Sequence, residues 1–298
     1  MIIRSDDEGI PLSEVKYFKN ILVLSDGNGK YNQIEIKSET PTLSHYGGDV
    51  GDLNQDNIPD FVTMTGSLMK ILWGQPNPPY FDESNSSSFA NQYVAYINGN
   101  FYSYENNNGF GENCSECISN FVHNCKISDV NKDGINDLLL CNTENSVSSN
   151  TILINKGRGR FNKSSIIKLP FYTNDTTAKM TNMDYITDDL NGDGLTDIVA
   201  VNTNGYFGWD IVAYIQKPDG NFELNKNLFT FNLNLIKKGN WKSRLIYYDY
   251  DKDGKKDISY TDAEKIDINY KSIFLKTNNS FLEASLLNYD SYLKSLFK

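Results

Sequence analysis

The chain has 298 residues, with 28 Lys plus Arg against 38 Asp plus Glu and a formal net charge of −10. Its 39% hydrophobic and 22% charged content supplies a packed core and excludes a disordered or collagen-like chain, while the negative balance argues against nucleic acid and anionic lipid as partners. The longest clean apolar stretches, such as residues 21–24 and 138–141, are far shorter than the roughly 20 residues a membrane-spanning helix needs, so direct membrane insertion is not expected.

In chain order, residues 1–3 read as a short strand, and the N-terminus has neither the basic start nor the apolar stretch of a secretory leader. Residues 20–24 and 31–36 read as two more strands about a polar turn at 25–30. Next comes the nonapeptide Asp52-Leu53-Asn54-Gln55-Asp56-Asn57-Ile58-Pro59-Asp60, which runs directly into the β-prone residues 61–64. A second apolar run follows at 70–73, and an aromatic pair, Tyr80-Phe81, opens a third.

Residues 93–97 and 100–104 are β-prone arms about Asn98-Gly99, the dipeptide most typical of a hairpin turn. The aromatics Tyr93, Tyr96, Phe101, Tyr102 and Tyr104 suit stacking on a sugar or peptide if the hairpin projects; packing on the strands below is the plainer reading. Cys114, Cys117, Cys125 and Cys141 follow within 28 residues. Two disulfides in any of three pairings, free core thiols, or, with His123, a zinc site in place of a standard finger are the readings of that cluster.

The nonapeptide then recurs at 129–137, 189–197 and 249–257, with starts 77, 60 and 60 residues apart. The period is 60, with 17 additional residues between the first two copies. Each copy has the form D-x-[DN]-x-D-[GN]-x-x-D, and each is followed by apolar runs in the same order, residues 138–141, 198–201 and 258–260 coming first. A further strand precedes each loop, as at 244–248. Four antiparallel strands per repeat is the pattern of a β-propeller blade, so the fold class expected is all-β.

Oxygens at positions 1, 3 and 5 converge on a hard cation when the backbone curls tightly, and a Gly or Asn at position 6 permits the curl. With the carbonyl of position 7 and the carboxylate of position 9, each loop offers about six oxygens, which suits Ca²⁺. The candidate ligands are Asp52, Asn54, Asp56, Ile58 and Asp60; Asp129, Asn131, Asp133, Ile135 and Asp137; Asp189, Asn191, Asp193, Leu195 and Asp197; Asp249, Asp251, Asp253, Lys255 and Asp257. Up to four Ca²⁺ are expected, held tightest by the last loop with its four carboxylates and weakest by the first with Asn57. An EF-hand is excluded, because its position-12 Glu is replaced by Thr63, Leu140, Ala200 and Tyr260.

On stretches such as Asp189-Leu190-Asn191-Gly192-Asp193-Gly194-Leu195-Thr196-Asp197, continued by Ile198 to Val201, the chain resembles the FG-GAP/VCBS repeat family of integrin α-subunit propellers and bacterial surface proteins. The resemblance implies calcium loops joining the first two strands of each blade, and a scaffold that binds a protein or carbohydrate ligand outside the cell or at its surface. The Phe-Gly and Gly-Ala-Pro signatures of that family are poorly kept, Tyr46-Gly47-Gly48 being the nearest trace.

Blade boundaries read as a partial blade at 1–40, a blade at 41–88, the insertion hairpin at 89–120, and blades at 121–176, 177–236 and 237–298, all within one propeller. This count leaves two expectations, closure of five blades by residues 292–297 beside 1–3 or membership of a larger ring of about seven blades, the second of which would also be expected to place a leader ahead of residue 1. A non-catalytic, calcium-binding module for extracellular adhesion or ligand recognition is expected; a polysaccharide lyase or hydrolase, and a segment of a large secreted toxin or surface protein, are the alternatives.

Overall fold

The computed structural model describes residues 21–36, 45–65, 68–90, 94–97, 100–103, 122–142, 150–161, 166–170, 180–204, 209–225, 228–230, 242–250, 252–262, 272–276 and 281–285. The chain divides into two compact units, 1–143 with 147–168, and 144–146 with 169–298. Among the described residues every regular element is a strand.

In the first unit, β1 (Ile21–Ser25) and β2 (Tyr31–Glu35) form a hairpin about Gly27 and Gly29. The strands β3 (His45–Gly51), β4 (Asp60–Thr65), β5 (Leu68–Gly74) and β6 (Phe81–Ala90) pair in sequence as an antiparallel sheet. The inserted arms β7 (Val94–Ile97) and β8 (Asn100–Ser103) pair with each other. A second four-stranded antiparallel sheet holds β9 (Val122–Ser128), β10 (Asp137–Asn142), β11 (Thr151–Leu153) and β12 (Ile166–Lys168).

The second unit repeats the arrangement with β13 (Met180–Asp188), β14 (Asp197–Asn204), β15 (Trp209–Gln216) and β16 (Phe222–Asn225). The short β17 (Phe229–Thr230) leaves that sheet and lies parallel to the outer strand of the next, which runs β18 (Lys242–Tyr248), β19 (Asp257–Asp262), β20 (Ser272–Lys276) and β21 (Phe281–Ser285). Each nonapeptide therefore joins the first strand of a sheet to the second. The aromatic expected to open each fourth strand does so at Phe81, Phe222 and Phe281. In the second repeat Phe161 instead plugs the core, and β12 begins at Ile166.

The strands after each loop are apolar at successive positions because both faces of the sheet are covered. In β4 and β5, Phe61 and Leu72 pack with Ile36 and Phe81 and contact Leu22 from the β1–β2 hairpin, the Phe61 and Phe81 rings meeting edge to face at 5.9 Å. On the opposite face Val62 and Ile71 meet Cys125, Leu138, Leu140 and Leu153 of the β9–β12 sheet. Val199, Val201, Ile211 and Ala213 likewise meet Ile258, Leu245 and Tyr247 in the second unit.

The first strand of all four sheets carries a β-bulge at a fixed place. Tyr46, His123, Met183 and Ser243 are each the extra residue in the pairing with the second strand, each six residues before the first Asp of its loop. A bulge pins register, since a one-residue slip would turn every side chain to the wrong face.

These first strands, β3, β9, β13 and β18, all lie at a sheet edge. On β3, β9 and β18, side chains from a neighbouring sheet cap outward N–H groups. The Gly48 N–H donates to Asn124 Oδ1 at 3.1 Å, that of Ile127 to Asp49 Oδ2 at 2.9 Å, and that of Leu245 to Asp184 Oδ2 at 3.0 Å.

Cys125 and Cys141 are buried and neither is in a disulfide. Cys125 lies opposite Leu140 in the β9–β10 pairing, so Cys141 points to the other face of the sheet and the two sulfurs cannot bond to each other. Cys125 packs among Val62, Leu138 and Leu153. Cys114 and Cys117 lie outside the described residues, as do residues 1–3 and 292–297, Tyr93, Tyr104 and Asp251. For Tyr96, Phe101 and Tyr102 only the backbone is described, on the paired arms of the insertion.

Candidate metal-binding loops

The four nonapeptides fold alike. Position 6 is left-handed in all of them, with φ of 65° at Asn57, 84° at Gly134, 85° at Gly194 and 88° at Gly254. Asn57 thus holds the backbone that Gly holds elsewhere, as its short polar side chain permits. Position 4 is left-handed too, at Gln55, Lys132, Gly192 and Lys252, with φ of 58° to 80°. No residue type marks that second reversal in the sequence.

The position-1 carboxylate organises this curl. Asp52 Oδ1 accepts the Gln55 N–H at 2.7 Å and the Asp56 N–H at 3.3 Å, and its Oδ2 accepts that of Asn57 at 2.8 Å. Asp129, Asp189 and Asp249 likewise accept from positions 5 and 6. At position 3, Asn54, Asn131 and Asn191 each accept the position-5 N–H on Oδ1 and donate Nδ2 to the position-5 carboxylate at 2.9–3.1 Å. The position-5 Oδ1 accepts the position-7 N–H at 2.8–2.9 Å in every copy.

Position 9 plays a different part. Asp60, Asp137, Asp197 and Asp257 are fully buried at the start of the second strand. Their Oδ2 atoms accept the position-2 N–H, from Leu53, Val130, Leu190 and Tyr250, at 2.8–3.0 Å. In the first three copies Oδ1 accepts a backbone N–H beyond the third strand or at its end: Gly74, Asn155 and Gln216, at 2.8–2.9 Å. The carboxylate, at the start of the second strand, therefore ties the loop to the end of the third strand. Burial pushes Asp60, Asp137 and Asp197 above the usual carboxylate range, Asp137 to about 6; the two N–H donors oppose the shift and nearby loop acids add to it.

The donor set of positions 1, 3 and 5 is the hard oxygen set a cation such as Ca²⁺ takes, and the backbone already has the required curl. As the side chains stand, no three His, Cys, Asp or Glu groups among the described residues are gathered closely enough to hold a metal ion. In the first three loops the rim oxygens are engaged by the loop's own N–H groups and by the position-3 amide, whose Nδ2 occupies the position-5 carboxylate. The fourth loop differs, because Lys255 Nζ lies 3.3 Å from Asp253 Oδ2 at a position where the others carry Ile58, Ile135 and Leu195.

Residues 189–259, which hold the third loop, the strands after it and the fourth loop, match the family model of the FG-GAP-like repeat. That segment of the chain is an FG-GAP-like repeat, as its motif implies. No curated protein matches the chain. Among solved structures it is similar to an Agrocybe aegerita lectin, described as recognising non-reducing terminal N-acetylglucosamine. That alignment covers 90% of this chain and 74% of the lectin chain, at 14% identity and a TM-score of 0.46.

Proposed function

We propose that the chain is a cation-dependent, non-catalytic ligand-recognition module, a β-propeller of FG-GAP-like repeats that binds up to four Ca²⁺ and acts at or outside the cell surface. The observation that carries this reading is the fourfold nonapeptide, with hard oxygens at positions 1, 3 and 5 on a backbone reversed twice in the same places. Asp52, Asn54 and Asp56, and their counterparts, would hold the ion, whose part is to neutralise the loop acids and fix the connection between the first two strands. The buried position-9 carboxylates serve as staples of the loop, through the two backbone hydrogen bonds that each accepts in the first three copies. Exposed loops on a rigid sheet scaffold are where such proteins carry a binding surface.

The test is calorimetric titration of chelator-treated protein with Ca²⁺, together with melting in Ca²⁺ and in EDTA. Heat of binding and a raised melting temperature support the reading. Identical melting in both buffers with no heat of binding removes the metal from it, and cleavage of any member of a polysaccharide panel would replace recognition by catalysis.

A further inference from the structure

The turn after β11 carries three cations in five residues: Lys156, Arg158 and Arg160. All three are exposed, and among the described residues none has an acidic partner. The turn is held firmly. Gly157, Arg158 and Gly159 are successive left-handed residues, with φ of 86°, 57° and 65°, a conformation unfavourable for an Arg. The Lys156 N–H donates to the Arg160 carbonyl at 2.7 Å, and the Gly159 N–H to the Leu53 carbonyl at 2.9 Å. Beneath the turn the buried Asn155 accepts the Gly157 N–H on Oδ1 at 3.0 Å, and donates Nδ2 to Leu53 and Asn136 carbonyls at 2.7 and 3.0 Å.

These bonds seat the basic turn on the first nonapeptide, whose Leu53 takes two of them. A Cβ added to Gly159 would lie 2.4 Å from the Trp73 ring, so the turn rests against that indole, and the Gln55 side chain reaches Gly157. Three cations therefore stand beside a loop holding Asp52, Asp56 and Asp60. The turn geometry does not demand them. The corresponding turn at 75–80 has no charged residue, and in the turn at 217–221 Lys217 is paired with Glu223 at 2.6 Å.

The geometry points to a binding site for an acidic polysaccharide on this turn, with carboxylate or sulfate groups taken by Arg158, Arg160 and Lys156. Guanidinium groups form paired hydrogen bonds with such anions. The first loop, in the charge state the proposed function assigns to it, sets the strength of binding: empty, its acids repel the ligand, and loaded with a divalent cation, they do not. A DNA duplex carries a charge every ~1.7 Å of its axis and rewards an extended basic surface, whereas the rest of this chain is acidic. A glycan with its acids set apart by sugar rings is gripped at two or three points, which is what a five-residue turn offers.

The test uses the full chain with heparin and polygalacturonate as sulfated and carboxylated probes and a DNA duplex as competitor, in Ca²⁺ and in EDTA. The expected result is binding to at least one glycan, weakened severalfold by EDTA. Binding falls about tenfold or more in Lys156→Gln/Arg158→Gln, whose melting temperature and Ca²⁺ uptake stay unchanged. Lys217→Gln, on the corresponding turn, leaves glycan binding as it is. Failure to bind either glycan while Ca²⁺ still stabilises the protein overturns the inference and leaves the proposed function standing. Full binding by the double variant, or tighter binding to DNA than to both glycans, also overturns it. Glycan binding lost in the double variant but indifferent to EDTA upholds the site and removes its coupling to the loop.

Discussion

At position 9 of each loop, burial and hydrogen bonding pull a carboxylate in opposite directions. For Asp137 burial prevails, lifting it to about 6, and Asp60 and Asp197 shift the same way. Unfolded, these groups return to about 3.9, so the folded chain holds the protons more tightly. Their contribution to stability is complete below about pH 4 and is lost as pH rises through the folded values. In EDTA the melting temperature should therefore fall relative to Asp137→Ala between pH 4 and 6.5; parallel curves would contradict this. Asp137→Asn places an amide NH₂ where one of two backbone donors, Val130 or Asn155, now finds an acceptor, and should cost about 1–3 kcal/mol in denaturant unfolding. Lys255→Ile removes a cation from Asp253 and should tighten Ca²⁺ binding at the fourth loop, read as a lower Kd in titration. The loop acids were legible because Asp at fixed spacing recurs. The second left-handed residue was not, since Gln55, Lys132 and Lys252 share no property that announces it, and the structural role of position 9 demands the same Asp as a ligand role.

Strand order within each sheet followed from the position of the apolar runs after each loop, and the fourth strands from their leading aromatics. Phe161 departs because it fills the space between two sheets before its strand begins. The bulges were invisible, as Tyr46, His123, Met183 and Ser243 have nothing in common but their distance from a loop, and a bulge is a property of backbone pairing. The edge caps were equally hidden, because Asp49, Asn124 and Asp184 act across sheets. Asp184→Ala leaves the Leu245 N–H without its acceptor and should lower stability by about 1–3 kcal/mol, with aggregation on heating as the exposed edge recruits other strands. Tyr247→Phe removes the bond from its hydroxyl to Asp188 Oδ2 at 2.9 Å, and should cost about 1 kcal/mol. An Asp184→Ala protein as stable and as soluble as the parent would show that the caps do not protect the edges.

Across the whole chain, 13 of the acids lie in the four nonapeptides, and four divalent cations would cancel most of the net negative charge. Saturating Ca²⁺ at a hundredfold excess over Kd should stabilise the folded state by about 2.7 kcal/mol per site, measured as the difference in unfolding free energy between Ca²⁺ and EDTA. Mg²⁺ should do less, because it accepts only near-octahedral oxygen geometry. A stabilisation equal for both ions would point to general screening. The bulge recurring at one distance from each loop has a consequence for how such a chain arises. Register, reversal and staple all travel inside a single 60-residue copy, so a duplicated segment brings its own folding instructions. The 17 additional residues between the first two copies fall outside that cassette, and among the described residues the sheets on either side keep the same strand order. Lengthening such a protein by whole copies would leave those local instructions intact and would ask for new matches only where caps and cores reach from one sheet to the next.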